Sequence, residues 1–358
     1  MNRPRRWSLG AALALSVTLL TSAAPIQAAD PATTLLGAAS NVLSGIGASI
    51  DSAVASATSN PCSGSGALKK SANGSLTVLL LGSDYRQKPY IGERTDSVIA
   101  MNIAKNGRVT MAAIPRDTTR IPLAGGGTSG ARRINALYIG YKRSGLGNSA
   151  VDCTALDKVR KDVSKTLGTS IPYYAMIRMD DFQNLIDNVG GLRMTIRDTL
   201  IDYHYTASHR KVFVPKSTGY QMNGGGNCGV APKKCRSALR YARSRYGTEG
   251  GTANSDYRRV RRQQQIVFHA IKRVLSRGSG SSLTSLLGAS RGRIYTNLPK
   301  TTSGALALYA FAQGATFAKQ DGTVFGPQRW ATYTGQYTFQ LKLADIRQWV
   351  DRHFRPVT

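Results

Sequence analysis

The stretch Leu76-Thr-Val-Leu-Leu-Leu-Gly-Ser-Asp84 carries the clearest indication of the fold. Its apolar residues follow one another almost without interruption and end at a glycine, which is typical of a strand covered on both faces. Open α/β sheets hold ligand groups beyond the carboxyl ends of such strands. The stretch therefore predicts an α/β fold and places Asp84 at the sheet edge where a ligand would bind.

A β-hairpin is predicted directly after this strand. Residues 97–103 and 108–114 are strand-like, and Lys105-Asn106-Gly107 between them is a strong hairpin signal. Charged residues flank the hairpin on both sides: Arg94, Asp96, Arg116 and Asp117. Because these residues lie at strand ends, we expect them to face the same cleft as Asp84.

The segment 243–264 concentrates positive charge and leads into a helix that begins near residue 258. The apolar positions of this helix share one face of a helical wheel: Val260, Val267, Ala270, Ile271, Val274 and Leu275. Arg259 lies at the boundary of this inward face and Gln263 at its edge, whereas Arg262 lies further round. The wheel directs Arg258 and Arg261 toward water.

A half-buried arginine needs an anionic partner, because an unpaired buried charge is too costly to keep. We therefore predict that Arg259 and Gln263 form half of an anion site, with a weaker contribution from Arg262. Arg243 and Arg245 approach the same site from the preceding segment. The alternative is a basic helix that is solvated along its length.

The remainder of the chain reads as alternating helices and strands. Helices are predicted near 136–141, 154–167, 180–188 (capped at its start), 238–245, 283–287, 303–313 and 344–354, and strands near 173–179, 192–197 and 337–341. No internal repeat is evident. We predict a single α/β domain over residues 75–358, preceded by an Ala/Ser/Gly-rich linker over residues 30–74.

The first 29 residues have the layout of a secretory signal peptide, with Arg3, Arg5 and Arg6 before an apolar run. The alternative is an uncleaved N-terminal membrane anchor. The net charge of +29 requires an anionic partner: nucleic acid, acidic polysaccharide, phospholipid headgroups or a phosphate-bearing substrate. Export argues against nucleic acid. We therefore expect an extracytoplasmic protein, secreted or associated with the membrane surface at the cell envelope.

The four cysteines suit an oxidising compartment and allow three pairings. Cys228 and Cys235 close a short loop and are the favoured pair, which leaves Cys62 to join Cys153. Zinc is the alternative, but the cysteine spacing and the scattered histidines do not fit a zinc site.

Carboxylates and surplus arginines at strand ends indicate phosphate chemistry. Asp84 and Asp96 can hold Mg²⁺ through one or two direct bonds and leave coordination positions for phosphate oxygens. Planar, paired guanidinium donors match phosphate geometry and balance charge during phosphoryl transfer. Taken singly, each aspartate would be a cap or turn residue and each arginine a surface ion pair. Their shared position predicts a pyrophosphate site with a metal.

Six short motifs occur in the order and spacing of the LytR-CpsA-Psr family, which the chain resembles from about residue 76 to its end. The motifs are Leu-Leu-Leu-Gly82-Ser-Asp84, Arg94-Thr-Asp96, Ile-Pro115-Arg116-Asp117, Arg133-Ile-Asn135, Tyr241-Ala-Arg243-Ser-Arg245 and Asp256-x-x-Arg259-x-x-Arg262-Gln263-Gln264. The chain departs from the family at Glu93, where a glycine is common, and at Arg133, where lysine is usual. The resemblance implies a single domain with a central mixed β-sheet flanked by helices.

The resemblance also implies an activity. Such an enzyme transfers a glycopolymer from a polyprenyl-pyrophosphate carrier to peptidoglycan and forms a phosphodiester, as a phosphotransferase with pyrophosphatase side activity. Mg²⁺, or alternatively Mn²⁺, would be held by Asp84 and Asp96. The implied catalytic residues are Arg94, Asp96, Arg116, Arg243 and Arg245. The implied pyrophosphate ligands are Arg116, Arg133, Arg243, Arg245, Arg259, Arg262 and Gln263. An apolar tunnel would take the prenyl tail.

Two other functions fit the same residues. The first is a non-catalytic binder of polyprenyl phosphate or of anionic wall polymer, whose binding would be salt-sensitive and independent of Mg²⁺. The second is a hydrolase that only cleaves the pyrophosphate and leaves no product on peptidoglycan.

Overall fold

The computed structural model describes residues 62, 64, 67–71, 73–85, 92–147, 149–205, 211–226, 228, 234–276, 294–299 and 320–354. The strands are β1 (Leu76–Ser83), β2 (Thr95–Ile103), β3 (Val109–Ala113), β4 (Thr118–Thr119), β5 (Tyr173–Arg178), β6 (Leu192–Ile196), β7 (Leu200–Asp202), β8 (Val212–Val214), β9 (Ser217–Met222), β10 (Thr248–Glu249), β11 (Thr252–Ala253), β12 (Ile294–Thr296), β13 (Gln320–Val324), β14 (Ala331–Gly335) and β15 (Thr338–Leu341). The helices are α1 (Leu137–Tyr141), α2 (Cys153–Leu167), α3 (Met179–Asn188), α4 (Ala238–Arg243), α5 (Asp256–Ser276), α6 (Pro327–Trp330) and α7 (Leu343–Phe354).

The predicted first strand lies in the middle of a six-stranded mixed sheet with the order β12-β5-β1-β2-β3-β13. β1 runs antiparallel to β2 and parallel to β5. Leu79 and Leu81 on one face of β1 join the largest apolar cluster, whereas Leu76 and Val78 join a second cluster on the other face. The sequence prediction of a strand covered on both faces, in a mixed sheet flanked by helices, is confirmed.

The predicted hairpin is also confirmed. β2 and β3 pair antiparallel from Ile103 opposite Val109 to Ile99 opposite Ala113. Gly107 in the connecting turn has φ +82°, a left-handed conformation that glycine adopts without strain. The hairpin therefore returns the chain to the sheet end from which β2 began.

The edge strand β13 was not predicted. Its sequence, Gln-Asp-Gly-Thr-Val, contains the turn-forming pair Asp321-Gly322. It nevertheless pairs in parallel with β3 along its full length. A Cβ on Gly322 would lie 2.9 Å from the Met111 carbonyl oxygen, so the missing side chain permits this close approach. Long-range pairing here overrides local preference.

Helix α5 is buried on two sides, which differs from the single inward face expected from the wheel. Val260 and Phe268 pack in a cluster with β2, β3 and β13. Ile266 packs in a separate cluster with β6, β9 and α4. Arg262 lies one turn before Ile266 on this second side and is only 2% exposed, so the wheel, which placed it further round from the inward face, misjudged its burial. Arg258 is half-buried rather than in water, whereas Arg261 is exposed as expected.

Smaller sheets surround this core, with orders β11-β10-β7-β8, β14-β15-β4 and β6-β9. Helix α3 begins at Met179 after Arg178 without the side-chain cap that was expected, and Asp180 and Asp181 lie in its first turn instead. Both expected disulfides, Cys62–Cys153 and Cys228–Cys235, are present.

Some sequence predictions fall outside the described residues: the signal peptide, most of the linker, and the helices at 283–287 and 303–313. Within the described part of the chain, no helix has the length and apolarity needed to cross a membrane.

Candidate functional site

Asp84 directly follows β1, and Asp96 lies at the start of the neighbouring strand β2, at the same end of the sheet. Gly82 pairs with Ser97, but Ser83 pairs with Thr95, so Asp96 is the additional residue of a β-bulge. Bulges redirect side chains and are common beside active sites. Asp84 is fixed against the start of β2, because its Oδ1 accepts a hydrogen bond of 2.7 Å from the backbone N–H of Arg94.

The Asp96 carboxylate is held by two donors. Oδ2 accepts from Arg116 Nη1 at 2.8 Å, and Oδ1 accepts from Asn135 Nδ2 at 2.9 Å. Burial raises the pKa of Asp96, but Arg116, Asn135 and Arg259 more than offset this, so the pKa lies below its ordinary value of 3.8. Asp96 is therefore ionised at neutral pH and is suited to binding cations rather than to accepting a proton.

Arg116 lies among three carboxylates. Besides its bond to Asp96, its Nε lies 3.5 Å from Asp117 Oδ2 and 3.6 Å from Asp256 Oδ1. Burial lowers the pKa of Arg116, whereas Asp96, Asp256 and Asp117 together raise it above its ordinary value. Nε makes no hydrogen bond to any described residue. One face of this guanidinium therefore keeps an unused donor.

Asp256 and Arg259 approach from the first turn of α5. Arg259 Nη2 lies 2.9 Å from Asp256 Oδ1 and 3.4 Å from the Asp96 carbonyl oxygen. Arg259 is 4% exposed, and this burial lowers its pKa. Asp256 partly offsets the lowering, whereas the positive charges of Arg116 and Arg245 lower the pKa further. Within the described residues, Arg259 Nε and both Asp256 oxygens lack hydrogen-bond partners. Arg259, which was predicted to lie at the boundary of the inward face, is thus buried beside Asp96.

Arg94 and Arg133 lie on the outer side of this cluster. Arg133 Nη1 pairs with Asp117 Oδ1 at 2.9 Å and is 43% exposed. The Arg94 side chain is exposed. Both arginines are thus placed to meet a ligand that enters from solvent.

Arg243 and Arg245 lie at and just beyond the end of α4 and are half-buried. The Arg243 guanidinium carbon lies 5.6 Å from the centre of the Tyr205 ring. Gln263 joins α5 to this segment, because its Nε2 donates to the Ala242 carbonyl oxygen at 3.3 Å, and its buried Oε1 has no partner among the described residues. The Gln263 bond to Ala242 thus joins the two segments of the predicted site, and Arg245 contributes to the lowered pKa of Arg259.

Arg262 is brought to a different environment from Arg259. Its guanidinium is directed toward main-chain carbonyls and Glu249, away from the unpartnered atoms around Asp96. Its assignment to pyrophosphate stays a prediction.

Three residues of the arrangement were not singled out as site residues from the sequence. Asp256 and Asn135 stand in recognised motifs, and their motif positions are the signal that could have identified them. Asp202 is fully buried beneath the segment that carries Arg245, and nothing in the local sequence distinguishes it.

The donor set suits a hard cation. Asp84 and Asp96 offer oxygen ligands, and the part of the chain that the structure describes brings together no group of three or more His, Cys, Asp or Glu side chains around a metal position. Two carboxylates without nitrogen or sulfur ligands fit Mg²⁺ or Mn²⁺, which keep waters or phosphate oxygens in their remaining positions.

Comparison with curated proteins finds relatives that match more than half of this chain. The polyisoprenyl-teichoic acid–peptidoglycan teichoic acid transferase TagV of Bacillus subtilis is 26% identical over 284 residues, covering 78% of this chain and 64% of TagV. The regulatory protein MsrR of Staphylococcus aureus is 26% identical over 231 residues, covering 63% of this chain and 58% of MsrR. The chain thus spans less than two thirds of the length of these relatives.

Solved structures share the fold. The crystal structure of B. subtilis TagV matches with a TM-score of 0.55 at 24% identity, over 80% of this chain and 100% of that one. TagT bound to LIIa-WTA matches with a TM-score of 0.53 at 19% identity, over 80% of this chain and 92% of that one. The sequence model of the LytR_cpsA_psr family matches residues 40–348. Because this match takes in most of the sequence, the chain belongs to the LytR_cpsA_psr family.

Proposed function

We propose that this protein transfers a glycopolymer from a polyprenyl-pyrophosphate carrier to peptidoglycan at the cell envelope. The observation that carries the proposal is a pair of buried donors, Arg116 Nε and Arg259 Nε, which lie beside the carboxylate of Asp96 and make no hydrogen bond within the described residues. Unpartnered buried polar atoms are costly, so they indicate a ligand that completes their hydrogen bonds. The transferase names of TagV and of TagU from Halalkalibacterium halodurans support this reading.

Asp84 and Asp96 would hold Mg²⁺, which when bound would neutralise charge on the phosphate oxygens. Arg116 and Arg259 would turn their unused Nε–H groups to the pyrophosphate. Arg243 and Arg245 would bind it from the other side. Fixed guanidinium donors stabilise the charge that develops in phosphoryl transfer without needing to reorganise.

In the proposed reaction, a hydroxyl of a peptidoglycan sugar attacks the phosphorus next to the glycopolymer. A new oxygen–phosphorus bond forms while the bond to the bridging oxygen breaks, and polyprenyl phosphate leaves. The hydroxyl proton passes to solvent or to Asp117. Asp96 is a poor base because its pKa is depressed, whereas an efficient general base has a pKa near the working pH. Positioning and charge stabilisation would supply most of the catalysis.

The test uses a synthetic lipid-pyrophosphate-linked saccharide, peptidoglycan and Mg²⁺. Asp96→Ala and Arg243→Ala are each expected to lower turnover by at least about 100-fold, and removal of Mg²⁺ by a chelator should stop it reversibly. Arg261→Ala is the matched control, because it removes one positive charge from the exposed side of α5. Unchanged turnover in both site variants would overturn the proposal.

The location of the product separates the transferase from its alternatives. Saccharide attached to peptidoglycan supports transfer. Phosphate-bearing saccharide found only in solution would indicate a pyrophosphatase, and salt-sensitive binding without turnover would indicate a non-catalytic binder. The membrane surface as partner, the pyrophosphatase side activity and the tunnel for the prenyl tail stay predictions.

A further inference from the structure

The segment from the end of α4 to β10 carries Arg243 and Arg245, and its main chain is bound from one side by a single buried carboxylate. Asp202 Oδ2 accepts hydrogen bonds from the Ser244 hydroxyl at 2.5 Å, the Arg245 N–H at 3.2 Å and the Tyr246 N–H at 3.3 Å. Asp202 is 0% exposed. One carboxylate oxygen thus accepts hydrogen bonds from three consecutive residues of this segment.

The same segment is bound from another direction by Arg262. The guanidinium donates to four acceptors: the carbonyl oxygens of Tyr241 and Ser244, Glu249 Oε2 and Asn254 Oδ1. A guanidinium has five N–H groups in a fixed fork, so this arrangement uses most of its capacity. Arg262 therefore holds carbonyls of the segment, whereas Asp202 holds its N–H groups.

The two charged residues act as one unit around Ser244, which contributes its hydroxyl to Asp202 and its carbonyl to Arg262. Burial lowers the pKa of Arg262, and Asp202 is among the anionic groups that oppose this, so the two charges lie within electrostatic reach. The segment also passes very close to β7, because a Cβ on Gly247 would lie 2.1 Å from the Ile201 carbonyl oxygen. The backbone path of residues 241–247 is thus strongly restrained.

Burying two charged side chains costs desolvation free energy, and well-packed apolar residues in the same place often stabilise a fold equally well or better. Buried ionic groups are weak evidence of added stability, and in some proteins they specify one geometry instead. The restrained atoms here are main-chain atoms, with the Ser244 hydroxyl. These hydrogen bonds of Asp202 and Arg262 do not involve the side chains of Arg243 and Arg245. The arrangement therefore sets the backbone positions from which these two guanidiniums extend, and Arg245 Nη2 donates to the Tyr246 hydroxyl at 2.5 Å, a contact that a ligand would have to replace.

We propose that Asp202 and Arg262 are positioning residues that clamp residues 241–246 by the main chain and so deliver Arg243 and Arg245 to the pyrophosphate. This inference rests on the proposed function. It assigns Arg262 a role through the backbone of the segment instead of direct contact with phosphate, and it gives Asp202 a role in the reaction.

The first experiment measures the clamp without any substrate. Asp202→Asn replaces a carboxylate by an amide with one acceptor oxygen and one NH₂ group, so the charge-assisted hydrogen bonds to the segment weaken in either orientation of the amide. Amide hydrogen exchange at Arg245 and Tyr246 is expected to accelerate by on the order of 10-fold, with little change in α2. The matched control is Asp152→Asn, which changes an equally buried carboxylate at the start of α2.

The second experiment asks whether the clamp acts through the two arginines. The dissociation constant of geranylgeranyl pyrophosphate with Mg²⁺ is measured for wild type, Asp202→Asn, Arg243→Ala/Arg245→Ala and the triple variant. Asp202→Asn should weaken binding on the order of 10-fold in the wild-type background and less than about 2-fold when both arginines are absent. A merely structural role would weaken binding by the same factor in both backgrounds.

Ser244→Ala keeps both charges and removes only one hydroxyl, so it remains informative if Asp202→Asn does not fold. Its expected effect on binding is about 3-fold, again lost in the background without the two arginines. Arg262→Lys should behave like Asp202→Asn, because an ammonium cannot reach all four acceptors.

The outcomes separate the two proposals. A wild-type protein that binds and turns over, with unchanged exchange at Arg245 and Tyr246 in Asp202→Asn, would overturn the clamp alone. Equal losses in both backgrounds would also overturn it. A wild-type protein that neither binds the prenyl pyrophosphate nor turns over the lipid-linked saccharide would overturn the proposed function, and with it the purpose given to the clamp.

Discussion

Two buried ionic groups lie at the same end of the central sheet, and they differ in whether their hydrogen bonds are complete. The first is the Glu93–Arg178 pair, and the second is the cluster of Asp96, Arg116, Asp256 and Arg259, referred to below as the open cluster. Glu93 and Asp96 are three residues apart, so the contrast arises within one short loop and strand start.

The Glu93–Arg178 pair is closed. Arg178 donates to both Glu93 oxygens, at 2.8 and 3.0 Å, and also to the Ser149 carbonyl oxygen at 3.0 Å. The Ser83 hydroxyl donates to Glu93, and the Tyr85 ring lies 3.8 Å from the Arg178 guanidinium carbon. Glu93 is 1% exposed. The residue that departs from the usual family glycine thus belongs to a self-sufficient structural pair.

The open cluster has similar charges but keeps unpartnered buried atoms on Arg116, Asp256 and Arg259 within the described residues. Buried polar groups in native proteins are nearly always satisfied, so a local concentration of exceptions needs an explanation. We infer from the contrast that the closed pair belongs to the scaffold and that the concentration of incomplete hydrogen bonds in the open cluster indicates the ligand site. The predictions below test this distinction.

The largest expected effect is on activity, from Arg116→Ala. The variant removes the guanidinium that touches Asp96 and carries an unused donor, so turnover should fall by about 10³-fold or more. Steady-state transfer assays with Arg261→Ala as control measure this. Turnover within a factor of about 3 of wild type would show that the open cluster is not the reaction site.

The next largest effect is on stability, from Arg178→Met. Removal of one partner leaves the Glu93 carboxylate buried and unpaired, which should lower the free energy of unfolding by about 3–5 kcal/mol. Urea denaturation measures the loss. The double variant Glu93→Leu/Arg178→Met should recover much of it, because no buried charge remains. If Arg178→Met were as stable as wild type, the Glu93–Arg178 pair would not have the structural role given to it here.

Ligand stabilisation gives a smaller effect. A prenyl pyrophosphate at 100 times its dissociation constant, with Mg²⁺, should raise the free energy of unfolding of the wild type by about 2.7 kcal/mol. The same increment is expected for Glu93→Leu/Arg178→Met, since the closed pair does not bind ligand. At that ligand concentration Arg116→Ala should gain far less. An equal gain in Arg116→Ala would place the ligand elsewhere.

The smallest expected effect is on acid stability. The pKa of Asp96 is lower in the folded protein than its ordinary value of 3.8, so its contribution to stability is complete above that value and is lost as the pH falls below it. Asp96→Asn should therefore lower the free energy of unfolding at pH 5. It should also flatten the decline of that free energy below pH 4, and urea denaturation at a series of pH values measures both effects. An unchanged acid profile would contradict the ionic environment described for Asp96.

The sequence predicted those features that depend on local pattern. Local sequence was enough to predict the strand β1 from its apolar run, the β2–β3 hairpin from its turn signal and the disulfide pairing from the spacing of the cysteines. Asp96 and Arg116 were correctly expected to lie together, because strand ends of one sheet meet at one edge, and the boundary position of Arg259 on its helix correctly indicated that it is partly buried.

Features that depend on distant partners were not predictable. β13 is a strand only because β3 offers a partner and Gly322 permits close approach. Arg262 was misplaced because a helical wheel assumes one buried face, whereas α5 packs on two sides. The β-bulge at Asp96 depends on the register of β1 against β2, which the residue pattern does not encode.

The most direct test is a crystal structure of the protein with farnesyl pyrophosphate and Mg²⁺. The account predicts phosphate oxygens within hydrogen-bonding distance of Arg116 Nε and Arg259 Nε, with the Glu93–Arg178 pair unchanged. Phosphate bound elsewhere on the basic surface, with both Nε atoms still lacking a partner, would contradict it.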